Sequence, residues 1–192
     1  MALGFKERKS DEAKNVIAVS FEEFWNANKD KKLIWIGERH DKYELTRQFV
    51  ERLVGNLLGE GKSVVLLAER KGPELLEGPN AVAWLDELSR SKNVLLESID
   101  ETNASGKGRN AHMKECINDA IEKYGEERNT VFIVITGKRR LVEIPGGGLL
   151  EEERKDMCIS TRIAINPQDA VGVLLEDMPG KVGCTFAIFA VV

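Results

Sequence analysis

Hydrophobic positions along the chain follow two alternating patterns: short unbroken apolar runs, and longer stretches with apolar residues three or four apart. Leu33–Ile36, Val64–Ala68 and Val131–Thr136 are of the first kind, and runs this short and apolar read as strands buried on both faces, while Val94–Ile99, interrupted by Glu97 and Ser98, reads as a further strand. From Tyr43 to Leu58 the residues Leu45, Phe49, Leu53, Leu57 and Leu58 recur at helical spacing, and Gly59-Glu-Gly61 is placed to end that helix. A loop with Gly72-Pro73 and Gly78-Pro79 precedes a helix carrying Val82, Leu85 and Leu88. A further helix from about Arg109 to Tyr124 presents Met113, Ile117, Ala120, Ile121 and Tyr124 on one side. Strand, polar tip and helix in repeated alternation predict an α/β fold, with a mostly parallel central sheet and helices on both faces. After Pro145-Gly-Gly-Gly148 and a charged helix through Lys155, the apolar runs Cys158–Ile165, Val171–Leu175 and Cys184–Val192 predict a C-terminal antiparallel β extension. Residues 1–30 read as a loose segment with a short helix marked by Phe21, Phe24 and Trp25, and residues 31–192 as one domain.

Composition narrows the setting. The chain has 192 residues, 42% hydrophobic and 31% charged, which suits one globular domain with a sizeable core. A net charge of −4 removes any general reason to expect nucleic acid or an anionic membrane as partner. No stretch approaches the ~20 apolar residues of a membrane span, and the amino terminus lacks the apolar segment of a cleavable signal. Cys116, Cys158 and Cys184 are odd in number and widely spaced, so neither a disulfide framework nor a zinc knuckle is indicated. A cytoplasmic protein with reduced thiols is the expectation. The alternative is secretion into a host cell by machinery that needs no cleavable signal.

Candidate chemistry lies where the apolar runs stop. The first ends at Gly37 and delivers Glu38, His40 and Asp41 together. A carboxylate and an imidazole two residues apart at a strand tip can share a water, a proton or a metal ion. The second run ends at Glu69-Arg70, the third at Asp100, and the fourth at Gly137-Lys-Arg-Arg140. Arg109, Asn110 and His112 open the helix after the third strand. In a parallel sheet these tips meet at one edge, where open α/β sheets place their ligands. Asp100 reads equally as a third acid or as a cap for the following turn. His112 and Cys116, four apart on one helix face, read as an incidental pair, since no second pair accompanies them. Ser105-Gly-Lys-Gly-Arg109 lacks the earlier glycine and the hydroxyl after lysine that a P-loop needs.

Gly37-Glu-Arg-His-Asp41 resembles the Gly-Glu-x-His-Asp signature of ChaN-like proteins, within the wider grouping of erythromycin esterases, Tiki and TraB proteins. Three further segments follow in the same order. Leu66-Leu-Ala-Glu69 is similar to that family's second strand. Arg109-Asn110 with Met113 is similar to its Arg-Asn/Asp-x-x-Met helix start. Val134-Ile-Thr-Gly137, then Ile144-Pro145-Gly146, is similar to its fourth strand and Gly-x-Pro segment. The likeness runs from Leu33 to about Leu150. It implies that His40 is the base or a metal ligand, Glu38 its acidic partner, Glu69 a second acid facing the same water, and Arg109 an anion or transition-state clamp. The family has a histidine about three residues beyond the glycine of its fourth strand, where this chain has Arg140. Arginine neither acts as a base nor binds a cation at neutral pH, so a two-histidine metal site is not indicated.

Three readings follow. In the first, the chain is a hydrolase whose His40 activates water beside Glu38 and Glu69, while Arg109 and Arg140 hold negative charge on a small-molecule or peptide substrate with an anionic or ester group. A divalent metal on Glu38, His40 and Glu69 is a variant of it. In the second, the chain is a secreted effector or toxin domain that acts on a host protein through the same histidine. In the third, it binds haem or iron, as some ChaN-like proteins do; with two histidines and no anchor cysteine, haem is the weakest of the three.

Overall fold

The computed structural model describes residues 17–38, 43–69, 83–100, 107–127, 129–137, 165–175 and 186–189. The elements in chain order are β1 (Ile17–Val19), α1 (Phe21–Asn28), β2 (Leu33–Glu38), α2 (Tyr43–Gly59), β3 (Ser63–Ala68), α3 (Ala83–Leu88), β4 (Val94–Ser98), α4 (Lys107–Tyr124), β5 (Thr130–Gly137), a 3-10 turn at Pro167–Asp169, β6 (Ala170–Leu175) and β7 (Phe186–Phe189). The strands form one seven-stranded sheet in the order β1-β7-β6-β2-β5-β3-β4. From β6 to β4 every pairing is parallel. β7 runs antiparallel to both β6 and β1, which is the C-terminal antiparallel extension. The protein is thus an α/β fold built on a mostly parallel sheet.

Two details differ from what the apolar pattern suggests. The run Val171–Leu175, grouped by its spacing with the antiparallel extension, joins the parallel part, with β6 beside β2 from Leu33↔Ala170 to Gly37↔Leu174. A continuous apolar run suits an interior parallel strand, and the spacing of runs along a chain says nothing about strand direction. Within the N-terminal segment expected to be loose, Ile17–Val19 forms an edge strand. Three residues are too few to show a period. In the other two C-terminal runs, residues 158–164, 184–185 and 190–192 lie outside the described residues, as do the charged helix through Lys155 and Val82.

Alternation along the strands makes two cores, one on each face of the sheet. Ile34, Ile36, Val64, Leu66, Val131, Ile133 and Ile135 meet Phe21 and Phe24 of α1, Phe49, Val50, Leu53 and Leu57 of α2, and Trp84 and Leu85 of α3. Leu33, Trp35, Val65, Leu67, Phe132 and Val134 meet Met113, Ile117 and Ala120 of α4. The chain moves from β2 past β5 to β3 and on to β4 with α2 and α3 on one face. It then returns from β4 to β5 with α4 on the other, as right-handed crossovers require when direction reverses.

Local signals set the helix ends. Ser20 and Glu23 form a reciprocal capping box at the start of α1, where the Ser20 amide donates to Glu23 Oε2 at 2.8 Å and the Glu23 amide to Ser20 Oγ at 3.2 Å. Beyond α2, Gly61 takes φ +74°, the Gly61 amide donates to Leu58 O at 3.0 Å and the Lys62 amide to Leu57 O at 3.0 Å. These paired bonds are a Schellman ending, and glycine reaches that φ without strain. They release the chain into β3.

Candidate functional site

The tips of β2, β5, β3 and β4 stand side by side on one edge, and β3 and β4 send their following helices to opposite faces of the sheet. Such a divergence opens a crevice beyond the carboxyl ends of the strands. Three of the residues singled out from sequence meet there. Arg109, in the first turn of α4, donates from Nε to Asp100 Oδ1 at 2.6 Å and from Nη2 to Asp100 Oδ2 at 2.5 Å. Nη2 also donates to Glu69 Oε1 at 2.8 Å. The second oxygen of Glu69 accepts the Gly137 amide at 2.9 Å, and the Glu69 amide donates to Ile135 O at 2.8 Å. A single guanidinium thereby joins the ends of β3, β4 and, through Glu69, β5.

The network is deeply set: the side chains of Asp100, Glu69 and Arg109 are 0%, 8% and 18% exposed. The two-pronged contact to Asp100 matches the planar fork of arginine, which lysine could not reproduce. The Asp100 hydrogen bonds hold the guanidinium further above its ordinary pKa, with the Glu69 charge adding to the effect and burial opposing it. While both carboxylates are ionised, its share of stability is therefore fully present below the arginine range and is lost only at extreme alkalinity. α4 carries no acidic residue in its first turn, so a cation there stands against the positive end of the helix dipole. Asp100 and Glu69 offset that conflict.

This arrangement alters the chemistry read from sequence. One guanidinium between two carboxylates leaves the cluster at about −1 when all three are ionised, so it is a poor attractor of further anions. Asp100 is the principal partner of Arg109, and the turn it would cap lies outside the described residues. Glu69 has a hydrogen bond on each oxygen and is fixed in place.

Glu38 closes β2 and pairs in register with Gly137 of β5, whose amide is held by Glu69. Strands lie about 4.8 Å apart, so roughly 10 Å separates the Glu38 and Glu69 backbones across β5. Glu38 continues the series of Ile34 and Ile36, on the α2 face. Glu69 continues that of Val65 and Leu67, on the α4 face. The two glutamates leave the edge from opposite faces, and a group held between them has to sit over the tip of β5. His40, Asp41, Arg70, Lys138, Arg139 and Arg140 lie outside the described residues. Among the described residues, no group of three or more His, Cys, Asp and Glu side chains is arranged to hold a metal ion, and no helix is long and apolar enough to cross a membrane.

Beneath the edge, the Trp35 indole donates from Nε1 to Thr136 Oγ1 at 2.7 Å, with both residues buried. This bond ties β2 to β5, from three residues before Glu38 to one residue before Gly137. Trp35 alone reads as core, and nothing in the local pattern marks Thr136 as its partner. The link between Asp100 and Arg109 was more accessible, since only nine residues separate that strand end from the next helix start.

No protein-family model, curated protein or solved structure matches the chain.

Proposed function

We propose that the chain is a hydrolase with its site at the carboxyl edge of the sheet, of the erythromycin-esterase/ChaN-like kind that its strand-tip motifs resemble. The observation that carries this reading is the buried junction of Arg109 with Asp100 and Glu69. Buried ion pairs are seldom better for stability than apolar residues of the same size. A charged cluster joining three strand tips at a sheet edge is therefore more readily explained by a site to be shaped than by folding alone.

In this reading the work is divided. His40, two residues beyond Glu38 on the same strand tip, takes a proton from water, and Glu38 orients its ring. Glu69 and Asp100, locked by Arg109, form a fixed wall, and Arg109 is a positioning residue for it. Arg140, three residues beyond Gly137 in sequence, supplies the cation that a phosphate or carboxylate group of the substrate requires.

The test is hydrolysis of a panel of chromogenic esters and phosphoesters by the full chain, beside Glu38→Gln and Arg140→Gln. Turnover of an ester or phosphoester by the wild type is expected, with kcat lowered in Glu38→Gln. For the anionic substrates KM should rise in Arg140→Gln, while neutral esters are little affected. Turnover indifferent to both changes, or no turnover across the panel, overturns the assignment.

A further inference from the structure

The sheet ends differently at its two margins. β1 at one margin is three residues long, and brevity blunts an edge. β4 at the other is longer, keeps unbroken register with β3 from Val64↔Val94 to Ala68↔Ser98, and meets no further strand among the described residues. It contains no proline, lysine or bulge, the devices that ordinarily guard an edge. Glu97 is its one charge; the Tyr124 hydroxyl donates to that carboxylate at 2.6 Å, and Lys123 Nζ lies 3.5 Å from it. Val94 and Leu96 belong to the core on the α2 and α3 face. Leu95 turns to the opposite, α4 face and is 39% exposed, the most exposed large apolar side chain among the described residues.

Backbone directions along β4 follow from its bonds to β3. The Val64 amide donates to Asn93 O at 2.9 Å and the Ile99 amide to Ala68 O at 3.1 Å, so the odd-numbered residues turn their backbone groups toward β3. Val94 and Leu96 turn theirs outward. The Val94 amide already donates to Ser91 O at 3.2 Å. Leu96 N–H and Val94 O thus face outward as a donor and an acceptor two residues apart. Charge is graded along the same segment: Arg90 and Lys92, both exposed, precede the strand, and Glu97 lies near its end.

We propose that the outer edge of β4 is a self-association surface, pairing antiparallel with β4 of a second copy about a two-fold axis at Leu95. That register puts Leu95 opposite Leu95 of the second copy and Val94 opposite its Leu96, so each Leu96 N–H donates to the Val94 carbonyl of the other chain. The two Leu95 side chains then cover each other on the α4 face. The basic end of each strand lies along the acidic end of the other, whereas a parallel pairing would set Glu97 beside Glu97. An edge that complements itself in apolar contact, hydrogen bonding and charge favours a second copy over an unrelated peptide, and a two-fold contact closes at the dimer. A seam five residues long falls short of the ~1,200 Å² of a standard interface, so the dimer is reversible. The surface is independent of the hydrolytic reading: no residue from Val94 to Ser98 acts there.

Sedimentation velocity of the full chain over about a hundredfold range of concentration reads the association. The wild type is expected to pass from monomer to dimer and to stop there. Leu95→Lys, made at an exposed side chain, sets two ammonium groups face to face and should weaken the dimer about tenfold or more. Lys92→Glu puts like charges at both ends of the seam and should weaken it about fivefold. Leu95→Cys tests the register. Directly opposed residues of a non-hydrogen-bonded antiparallel pair have Cα atoms about 4.5 Å apart, within disulfide range. Mild oxidation should therefore join two chains of that variant at position 95, identified by mass spectrometry of the linked peptides. A wild type monomeric throughout, an open series of larger species, a dimer unmoved by either charge substitution, or no link at position 95 overturns the proposal.

Discussion

Replacing Arg109 with Met isolates the contribution of the strand-tip network. The substitution keeps an unbranched side chain of similar reach and removes the guanidinium. It leaves the Asp100 carboxylate, with no exposed surface, and the Glu69 carboxylate, 8% exposed, without their cation. Breaking a buried pair from one side costs about 3–5 kcal/mol, because a charge is stranded rather than because the pair is worth that much. Arg109 is 18% exposed, so water partly rescreens the stranded charges and the lower end, about 3 kcal/mol, is expected. For a chain of this size that corresponds to a thermal midpoint lower by about 6–12 °C. Urea unfolding followed by tryptophan fluorescence and far-ultraviolet circular dichroism provides the assay, since linear extrapolation separates a change in midpoint from a change in slope. The companion variant Arg109→Met/Asp100→Asn/Glu69→Gln removes all three charges and should recover most of the loss. A loss below about 1 kcal/mol for Arg109→Met would place the network with exposed ion pairs and refute the reasoning. So would failure of the triple variant to regain stability.

Further outcomes can be checked alongside it. Trp35→Phe strands the buried Thr136 hydroxyl and should cost about 1–3 kcal/mol, with partial recovery in Trp35→Phe/Thr136→Val by urea unfolding. Ser20→Ala removes the capping box of α1 and should cost about 1 kcal/mol, read as a lower thermal midpoint. Gly61→Ala forces a side chain into φ +74° and should destabilise by about 1 kcal/mol, whereas Gly55→Ala, exposed within α2 with open space around it, should stabilise by about 0.5–1 kcal/mol. Calorimetry on the two glycine variants checks the opposite signs. Haem added to the full chain is expected to leave its Soret band as in free solution, and a shifted, saturable band would revive the haem reading.

Much of the fold was legible because its signals are local. Val64–Ala68 and Val131–Ile135 are apolar without interruption, and a strand covered on both faces buries every side chain of such a run. Met113, Ile117 and Ala120 repeat at helical spacing and are the residues α4 sets against the sheet. Strand order was not legible. That β5 lies between β2 and β3, and β6 outside β2, depends on packing between distant segments. The candidate site divides along the same line. Glu69, Asp100 and Arg109 could be assigned to one edge because each follows a recognisable element. What could not be read was that they would neutralise one another, since Arg109 serves equally well in sequence as a clamp for substrate or as a tie between carboxylates. The opposite faces of Glu38 and Glu69 follow from counting residues along each strand, once the α2 and α4 faces are known.

The most direct measurement is kcat/KM of the full chain and of His40→Ala on whichever ester or phosphoester the wild type turns over best, with the thermal midpoints of both. A general base contributes about 10²–10⁴-fold. His40→Ala should therefore lose at least a hundredfold while its midpoint stays within about 1 °C of the wild type, below the roughly 2–4 °C that 1 kcal/mol produces in a chain of this length. Equal kcat/KM in the two proteins, or a loss that merely tracks a large fall in midpoint, would contradict a water-activating imidazole at the carboxyl edge.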